Sequence, residues 1–219
     1  MPELPEVEVI CRGIRPFLVG RAVTAIACSG KSLRHPVPIE AMQREILNQT
    51  ITRVERRAKV LQISLQAGGM LIIHLGMTGN LGIFPPSVRP AKHDHVQWSL
   101  DNGTELRYND IRRFGSIRFL SPDEVDSREE TIFKTTGPEP FSDEFSANYL
   151  QKLAKGKSLA VKLFIMTNQT VAGIGNIYAN ESLFAAGIRP TIKVQSLTRK
   201  EWDRLVIEVR RVLSQAIEC

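Results

Sequence analysis

The feature that most limits how this chain can fold is a change of period along it. Seven short runs, at residues 21–28, 51–54, 60–65, 70–75, 95–100, 104–108 and 116–120, are rich in Val, Ile and Leu and separated by turn signals such as Asp101-Asn102-Gly103. Together they predict an antiparallel β-sandwich, with Pro85, Pro86 and Pro90 marking a loop within it. After Leu120 the strand signals stop, and Gly137-Pro138-Glu139-Pro140 reads as a rigid linker. Beyond it the apolar residues recur at helical spacing. Residues 143–154 place Phe145, Tyr149, Leu150 and Leu153 on one face, and Ser158 is positioned to cap a second helix running through Met166. The last helix opens on a capping box, Thr198-x-x-Glu201, and carries Trp202, Leu205, Val206, Val209, Val212, Leu213 and Ile217 as its stripe. The expected fold is α+β in two domains: a β-sandwich domain over 1–132 led by a helix, a linker over 133–140, and an all-α domain over 141–219.

The leading helix spans about residues 4–18, with Val7, Ile10, Cys11, Ile14 and Leu18 at helical spacing. Ahead of it stand Pro2 and Glu3. Removal of the initiator methionine, which a small second residue permits, leaves the ring nitrogen of Pro2 as a free secondary amine. A terminal amine titrates near 8 and a lysine near 10.4, so at neutral pH the terminal amine is uncharged far more often, by roughly 2.5 pH units. Attack by such an amine on a sugar C1′ or an aldehyde carbon yields an iminium that draws electrons from the neighbouring carbon. An adjacent carboxyl such as Glu3 suits general acid/base work, and Glu6 lies one helical turn further on. The same residues also make a well-charged helix start: prolines fit a first turn, and Glu3, Glu6 and Glu8 complement the positive end of the helix dipole. On the residues alone both readings stand.

Composition narrows the function classes. With 219 residues and 42% hydrophobic content the chain can bury a real core without staples. Cys11, Cys28 and Cys219 are too widely spaced for a disulfide framework or a Cys-x-x-Cys metal pair, which suits a reducing cytoplasm and predicts no zinc site in this chain. No apolar run approaches a membrane span and no signal peptide precedes the glutamates, so a cytoplasmic protein with no membrane partner is expected. A net charge of +6 favours a polyanionic partner.

A second chemical signal is Val171-Ala-Gly-Ile-Gly-Asn-Ile-Tyr-Ala-Asn-Glu181. Two glycines before a helix let the backbone approach a phosphate, with free N–H groups pointing outward and Asn176 adding a side-chain donor. The alternative is a tight turn before a core helix. A dinucleotide fingerprint is not met, because Tyr178 holds the third glycine position and no strand leads in.

The opening string Met-Pro-Glu-Leu-Pro-Glu-Val-Glu resembles the amino terminus of the bacterial formamidopyrimidine-DNA glycosylases, whose endonuclease VIII branch more often has Gly where Leu4 stands. The glycine segment, continued by Ser182-Leu-Phe-Ala-Ala-Gly-Ile188, resembles the helix–two-turns–helix of the same family. Arg56-Arg57-Ala58-Lys59, His74-Leu75-Gly76-Met77-Thr78-Gly79, Lys92-His93-Asp94-His95 and Arg112-Arg113-Phe114-Gly115 are similar to further family motifs between these anchors. The resemblance implies a bifunctional glycosylase and lyase of base-excision repair acting on oxidised purines in damaged double-stranded DNA, as a monomer. It makes Pro2 the Schiff-base nucleophile, Glu3 the acid/base and Lys59 a second proton donor near the DNA backbone. It assigns DNA contacts to His93, Arg112, Lys157 and Asn176, and a candidate place in the lesion pocket to Glu6. Met77, Arg112 and Phe114 would fill the gap left by an everted nucleotide, with Phe114 wedging the stack.

Each implied role has a plainer counterpart. Lys59 heads an apolar strand and is placed to snorkel, Met77 and Phe114 suit a core, Lys157 suits a solvated helix end, and His93 with His95 offers half a metal site. Two departures from the family also stand out. The lesion-covering loop and the four-cysteine zinc finger that follow in the family are not in these residues, so the chain resembles a truncated member; one structural zinc is expected only where a full-length protein carries that finger. Ile111 replaces a proline that commonly precedes the Arg-Arg-Phe-Gly string. The alternatives are a pyrimidine-selective relative and a non-catalytic binder of damaged DNA.

Overall fold

The computed structural model describes residues 2–218; Met1 and Cys219, and with them the initiator methionine and the third cysteine, lie outside the described residues. The chain forms two compact units. One comprises Met1–Pro2 and Val7–Ile132, the other Glu3–Glu6 and Phe133–Cys219. Helix α1 (Leu4–Leu18) therefore contributes its first turn to one unit and its remainder to the other.

In the first unit, strands β1 (Val23–Cys28), β6 (Asp94–Leu100), β7 (Glu105–Asp110) and β5 (Gly79–Phe84) form one antiparallel sheet in that order. Strands β2 (Ile51–Arg57), β3 (Val60–Leu65), β4 (Met70–His74) and β8 (Ser116–Leu120) form the second. The inward residues of both sheets make one core: Val96, Trp98, Leu106 and Tyr108 from the first meet Val54, Leu61, Ile63, Leu71 and Ile73 from the second. Val7, Cys11, Ile14 and Leu18 of α1 join it at 3–4-residue spacing, each at most 3% exposed. Truncating a side chain such as Ile73 to alanine here costs about 2–5 kcal/mol. The expected sandwich and leading helix are what the chain forms.

Three elements of this unit were not anticipated. The first, β5, is interrupted by Gly79 and Gly82, so only Leu81, Ile83 and Phe84 signal a strand; its pairing with β7 at Leu81↔Tyr108 and Ile83↔Leu106 supplies the rest. The second, α2 (Ile39–Glu45), follows Pro38 and buries Met42. The third, α3 (Pro122–Phe133), begins on proline at its first position, where the missing N–H is harmless.

In the second unit, α4 (Ala147–Ala154), α5 (Val161–Met166), α6 (Asn176–Ala185) and α7 (Arg199–Glu218) surround a core of Phe145, Leu150, Phe164, Ile174, Leu183, Trp202, Leu205 and Val209. The capping box forms as read: the Thr198 amide donates to the Glu201 carboxylate at 2.7 Å and the Glu201 amide to the Thr198 hydroxyl at 3.3 Å. The helix expected from residue 143 starts later, capped by Ser146, whose hydroxyl accepts from the Tyr149 amide. Ser158 does not cap α5, whose N-cap is Ala160. Helix α5 starts at Val161, because Ala160 before it is extended and bridges to Lys193, with Val161 N bonded to Ile192 O at 2.8 Å and Val194 N to Leu159 O at 2.9 Å. Among the described residues no helix is long and apolar enough to cross a membrane.

Candidate active site and nucleic-acid interface

In the second unit the residues after Pro2 close onto the amino end of α6. Glu3 is 2% exposed, and its carboxylate accepts the backbone N–H groups of Gly175 at 2.7 Å, Ile177 at 2.9 Å and Tyr178 at 3.3 Å. The Leu4 amide donates to the Gly173 carbonyl at 3.0 Å, and the Leu4 side chain occupies the space that a Cβ at Gly173 would need, at a φ of +82° that favours glycine. The first-turn amides of a helix have no partner within it, and a carboxylate is a natural acceptor for them. This corrects the sequence reading of the glycine segment as a seat with outward amides for an external phosphate: amides of that seat serve Glu3. Glu6 extends the network, accepting the Glu3 amide at 2.8 Å and the Tyr178 hydroxyl at 2.6 Å. Burial, the bond to Glu6 and the charges of Glu6 and Glu3 push the Tyr178 phenol far above its ordinary value, so it stays protonated and donates.

In the first unit, two loops meet. Residues 75–78 carry Met77 and residues 111–115 carry Arg112 and Phe114; the three side chains line one cavity of about 730 Å³ with Leu33, Arg34 and His74. Met77 is 40% and Phe114 47% exposed, so neither is a core residue. The Arg112 guanidinium lies 4.7 Å from the Phe114 ring centroid, a cation–π pair that holds both groups together. Beneath them Asp110 is fully buried, and His74 accepts the Gly76 amide on Nδ1 at 3.0 Å. Burial, with the nearby charges of Arg34 and Lys59, pushes the His74 imidazole below its ordinary value, which keeps Nδ1 free to accept.

The other expected residues are dispersed. Pro2 is half-buried two positions before α1. Lys59 is half-buried in the β2–β3 turn, following Ala58 at φ +54°. The carbonyl of Ala58 accepts from Arg56, which also pairs with Glu8 at 2.8 Å, so an ion pair with α1 steadies the turn. Burial alone would raise Glu8, but Arg12 and Arg56 outweigh it and hold the carboxyl below its ordinary range. His93 is half-buried in the turn before β6. Asn176 is exposed at the start of α6, and Lys157 is exposed beyond α4 with its ammonium 5.4 Å from the Phe164 ring centroid.

The half metal site does not form. His95 faces the Ser29 hydroxyl on Nδ1 and the Asp110 carbonyl on Nε2, each at 3.0 Å, so both nitrogens are engaged. Among the described residues no group of three or more His, Cys, Asp or Glu side chains could hold a metal ion. Four residues that shape these sites went unassigned in the sequence: His74, Thr78, Asp110 and Tyr178. Three of them stand inside the motif strings already quoted, His74, Thr78 and Tyr178, and Asp110 lies two positions before Arg112, where an acidic residue at a turn start is a usable signal.

Residues 1–117 match the formamidopyrimidine-DNA glycosylase N-terminal domain and residues 136–219 match the formamidopyrimidine-DNA glycosylase H2TH domain. A formamidopyrimidine-DNA glycosylase of Photobacterium profundum is 48% identical over all of this chain and 78% of its own length. One from Vibrio cholerae is 45% identical, again over 78% of its length. Among solved structures, the Lactococcus lactis enzyme bound to DNA containing an abasic site matches with a TM-score of 0.89 at 28% identity, over 99% of this chain and 82% of that one. Its complex with DNA containing N7-benzyl-Fapy-dG matches with a TM-score of 0.90 at 28% identity, over 99% and 79%. With both domain models matched and curated relatives aligned along all of this chain, the chain belongs to the formamidopyrimidine-DNA glycosylase family.

Proposed function

We propose that the chain acts as a bifunctional glycosylase and lyase of base-excision repair, removing oxidised purines such as 8-oxoguanine and formamidopyrimidines from double-stranded DNA through Pro2. The neutral Pro2 nitrogen attacks C1′ of the everted nucleotide; the bond from C1′ to the base breaks, and the base leaves with that electron pair and takes a proton from solvent water. The proton on the new ammonium passes through the Glu3 carboxyl to the ring oxygen, the sugar opens, and an iminium joins Pro2 to C1′. The cation acidifies C2′. Loss of that proton expels the 3′-phosphate, and a second elimination expels the 5′-phosphate, with Lys59 as proton donor near the backbone.

The observation that carries this reading is the setting of Glu3. A carboxylate next in the chain to the nucleophile is 2% exposed and fixed by three backbone amides, and a fixed carboxyl is what a proton shuttle requires. Met77, Arg112 and Phe114 are read as filling the space of the everted nucleotide, Glu6 as part of the lesion pocket, and His93, Lys157 and Asn176 as phosphate contacts. The division into domains at residues 133–140, monomeric action and a place in the bacterial cytoplasm belong to the same reading. A structural zinc belongs to it only in a full-length protein bearing the family's finger; among the described residues no ligand set for one is present.

Borohydride provides the test. It should trap a covalent DNA complex through residue 2 of the processed protein, because only an iminium reduces to a stable amine. Retaining Met1, or fusing a tag before it, turns the amine into an amide and should abolish trapping and strand cleavage without lowering the melting temperature. If blocked protein cleaves lesion DNA as fast as processed protein, the nucleophile lies elsewhere.

A further inference from the structure

We propose that Asp110 is the positioning residue of the strand-opening group, its one buried carboxylate joining the Met77 loop and the Arg112–Phe114 loop into a single rigid block. The inference rests on the reading of Phe114 and Arg112 as the wedge. Asp110 ends β7 and is fully buried. One carboxylate oxygen accepts from the Thr78 hydroxyl at 2.5 Å and the Arg112 amide at 3.2 Å; the other accepts from the Gly115 amide at 2.9 Å and the Tyr108 hydroxyl at 3.2 Å. The Arg112 amide also donates to the Thr78 hydroxyl at 3.0 Å, closing a triangle between the loops. The main chain of Asp110 is held as well, its amide by the His93 carbonyl at 3.1 Å and its carbonyl by His95 at 3.0 Å.

The backbone leaves little slack. A Cβ at Gly76 would run into the Gly115 amide and one at Gly115 into the Tyr108 hydroxyl, so the two loops touch main chain to main chain. Between the two amides that Asp110 holds, Arg113 sits at φ +56°, a conformation that persists in a non-glycine residue only where its surroundings over-determine it. A wedge that is already ordered loses less freedom on entering a base stack than a mobile one, so rigidity translates into capture of the everted state. Asp110 itself is too buried to touch DNA; it acts through the loops. No other side chain of similar size offers two acceptor oxygens to four converging donors. An amide in its place turns an N–H₂ group toward one pair of them.

The experiment measures borohydride trapping of the same abasic oligonucleotide as duplex and as single strand, and reports the ratio. Because both substrates see the same active fraction, partial unfolding does not move that ratio. Phe114→Ala should lower it about tenfold, Asp110→Asn by a similar factor, and the double variant no further than Phe114→Ala alone, since both remove one device. Thr78→Val should lower it about threefold and Thr78→Ser should restore it. A wild-type ratio in Asp110→Asn beside a lowered ratio in Phe114→Ala overturns this inference and leaves the wedge standing, as does full additivity in the double variant. A wild-type ratio in Phe114→Ala removes the wedge and the inference together. Should Asp110→Asn fail to fold, Thr78→Val decides, and an unchanged ratio there overturns the proposal.

Discussion

Glu3 and Asp110 are both buried carboxylates that collect backbone amides, and they differ in where those amides come from. Glu3 takes its donors from Gly175, Ile177 and Tyr178, more than 170 positions away in the chain. Asp110 takes its backbone donors from Arg112 and Gly115, two and five positions on, and its hydroxyl donors from Thr78 and Tyr108. The first arrangement holds the carboxyl itself, on the residue next in the chain to Pro2. The second holds other groups, Met77, Arg112 and Phe114, and hides the carboxyl beneath them. A helix end supplies orphan amides in one direction only, so it suits a single group that must not move. A loop that has to expose an aromatic and a cation needs its support from below.

The comparison can be broken from either side. The largest effect belongs to Glu3→Gln, which keeps the size but cannot pass a proton and should slow base excision by on the order of 10²-fold or more in single-turnover assays. A rate within a few-fold of the parent would mean that the carboxyl serves only as an anchor. Next comes Gly173→Ala. It places a Cβ against Leu4 at a left-handed φ, and should destabilise the protein by about 1–3 kcal/mol and misplace Glu3, read as a lower melting temperature together with slower excision. Normal excision in a destabilised protein would separate the Leu4 contact from the site.

A smaller effect follows from pH and sharpens the contrast. His74 supports the Met77 loop by accepting the Gly76 amide, and its folded pKa is depressed. For a base shifted in that direction the unfolded state binds the proton first, so the stability it contributes is present above its unfolded pKa of about 6.5 and is lost as pH falls toward the folded value. Amide exchange at Gly76 should quicken below roughly pH 6 relative to Ile177, whose amide is held by Glu3. Equal acceleration at both amides would assign the acid sensitivity to the whole protein. The smallest expected change is at Lys157, which is exposed and joined to neither carboxylate. Lys157→Ala should flatten the salt dependence of DNA binding by about 0.9 in log–log slope, and an unaltered slope would remove it from the phosphate contacts.

Much of the architecture was legible because it is written in local period. The α1 stripe of Val7, Cys11, Ile14 and Leu18, the Val60–Leu65 strand and the Thr198–Glu201 box all declare themselves within a few residues. The family strings placed Met77 with Arg112 and Phe114 in one group, and the cavity they line brings the three together. The failures have a common cause. Strand β5 draws its stability from β7 rather than from Gly79-Asn80-Leu81-Gly82, and the start of α5 is decided by pairing with residues 192–194 rather than by Ser158.

By itself, then, the sequence determined the order and kind of the main elements, the change from strands to helices, and the chemical character of Pro2 and Glu3, since all of these depend on neighbours within one or two turns. Only the tertiary structure decided which donors each buried carboxylate would serve. Glu3 and the Gly173–Tyr178 segment each read as an unfilled half of a site until the fold brings them to hydrogen-bond distance, and Asp110 carries no assignment until Thr78, Tyr108 and Gly115 close around it. A hydrogen bond is sensitive to tenths of an ångström, whereas a sequence pattern carries no distance between residues that only folding makes neighbours.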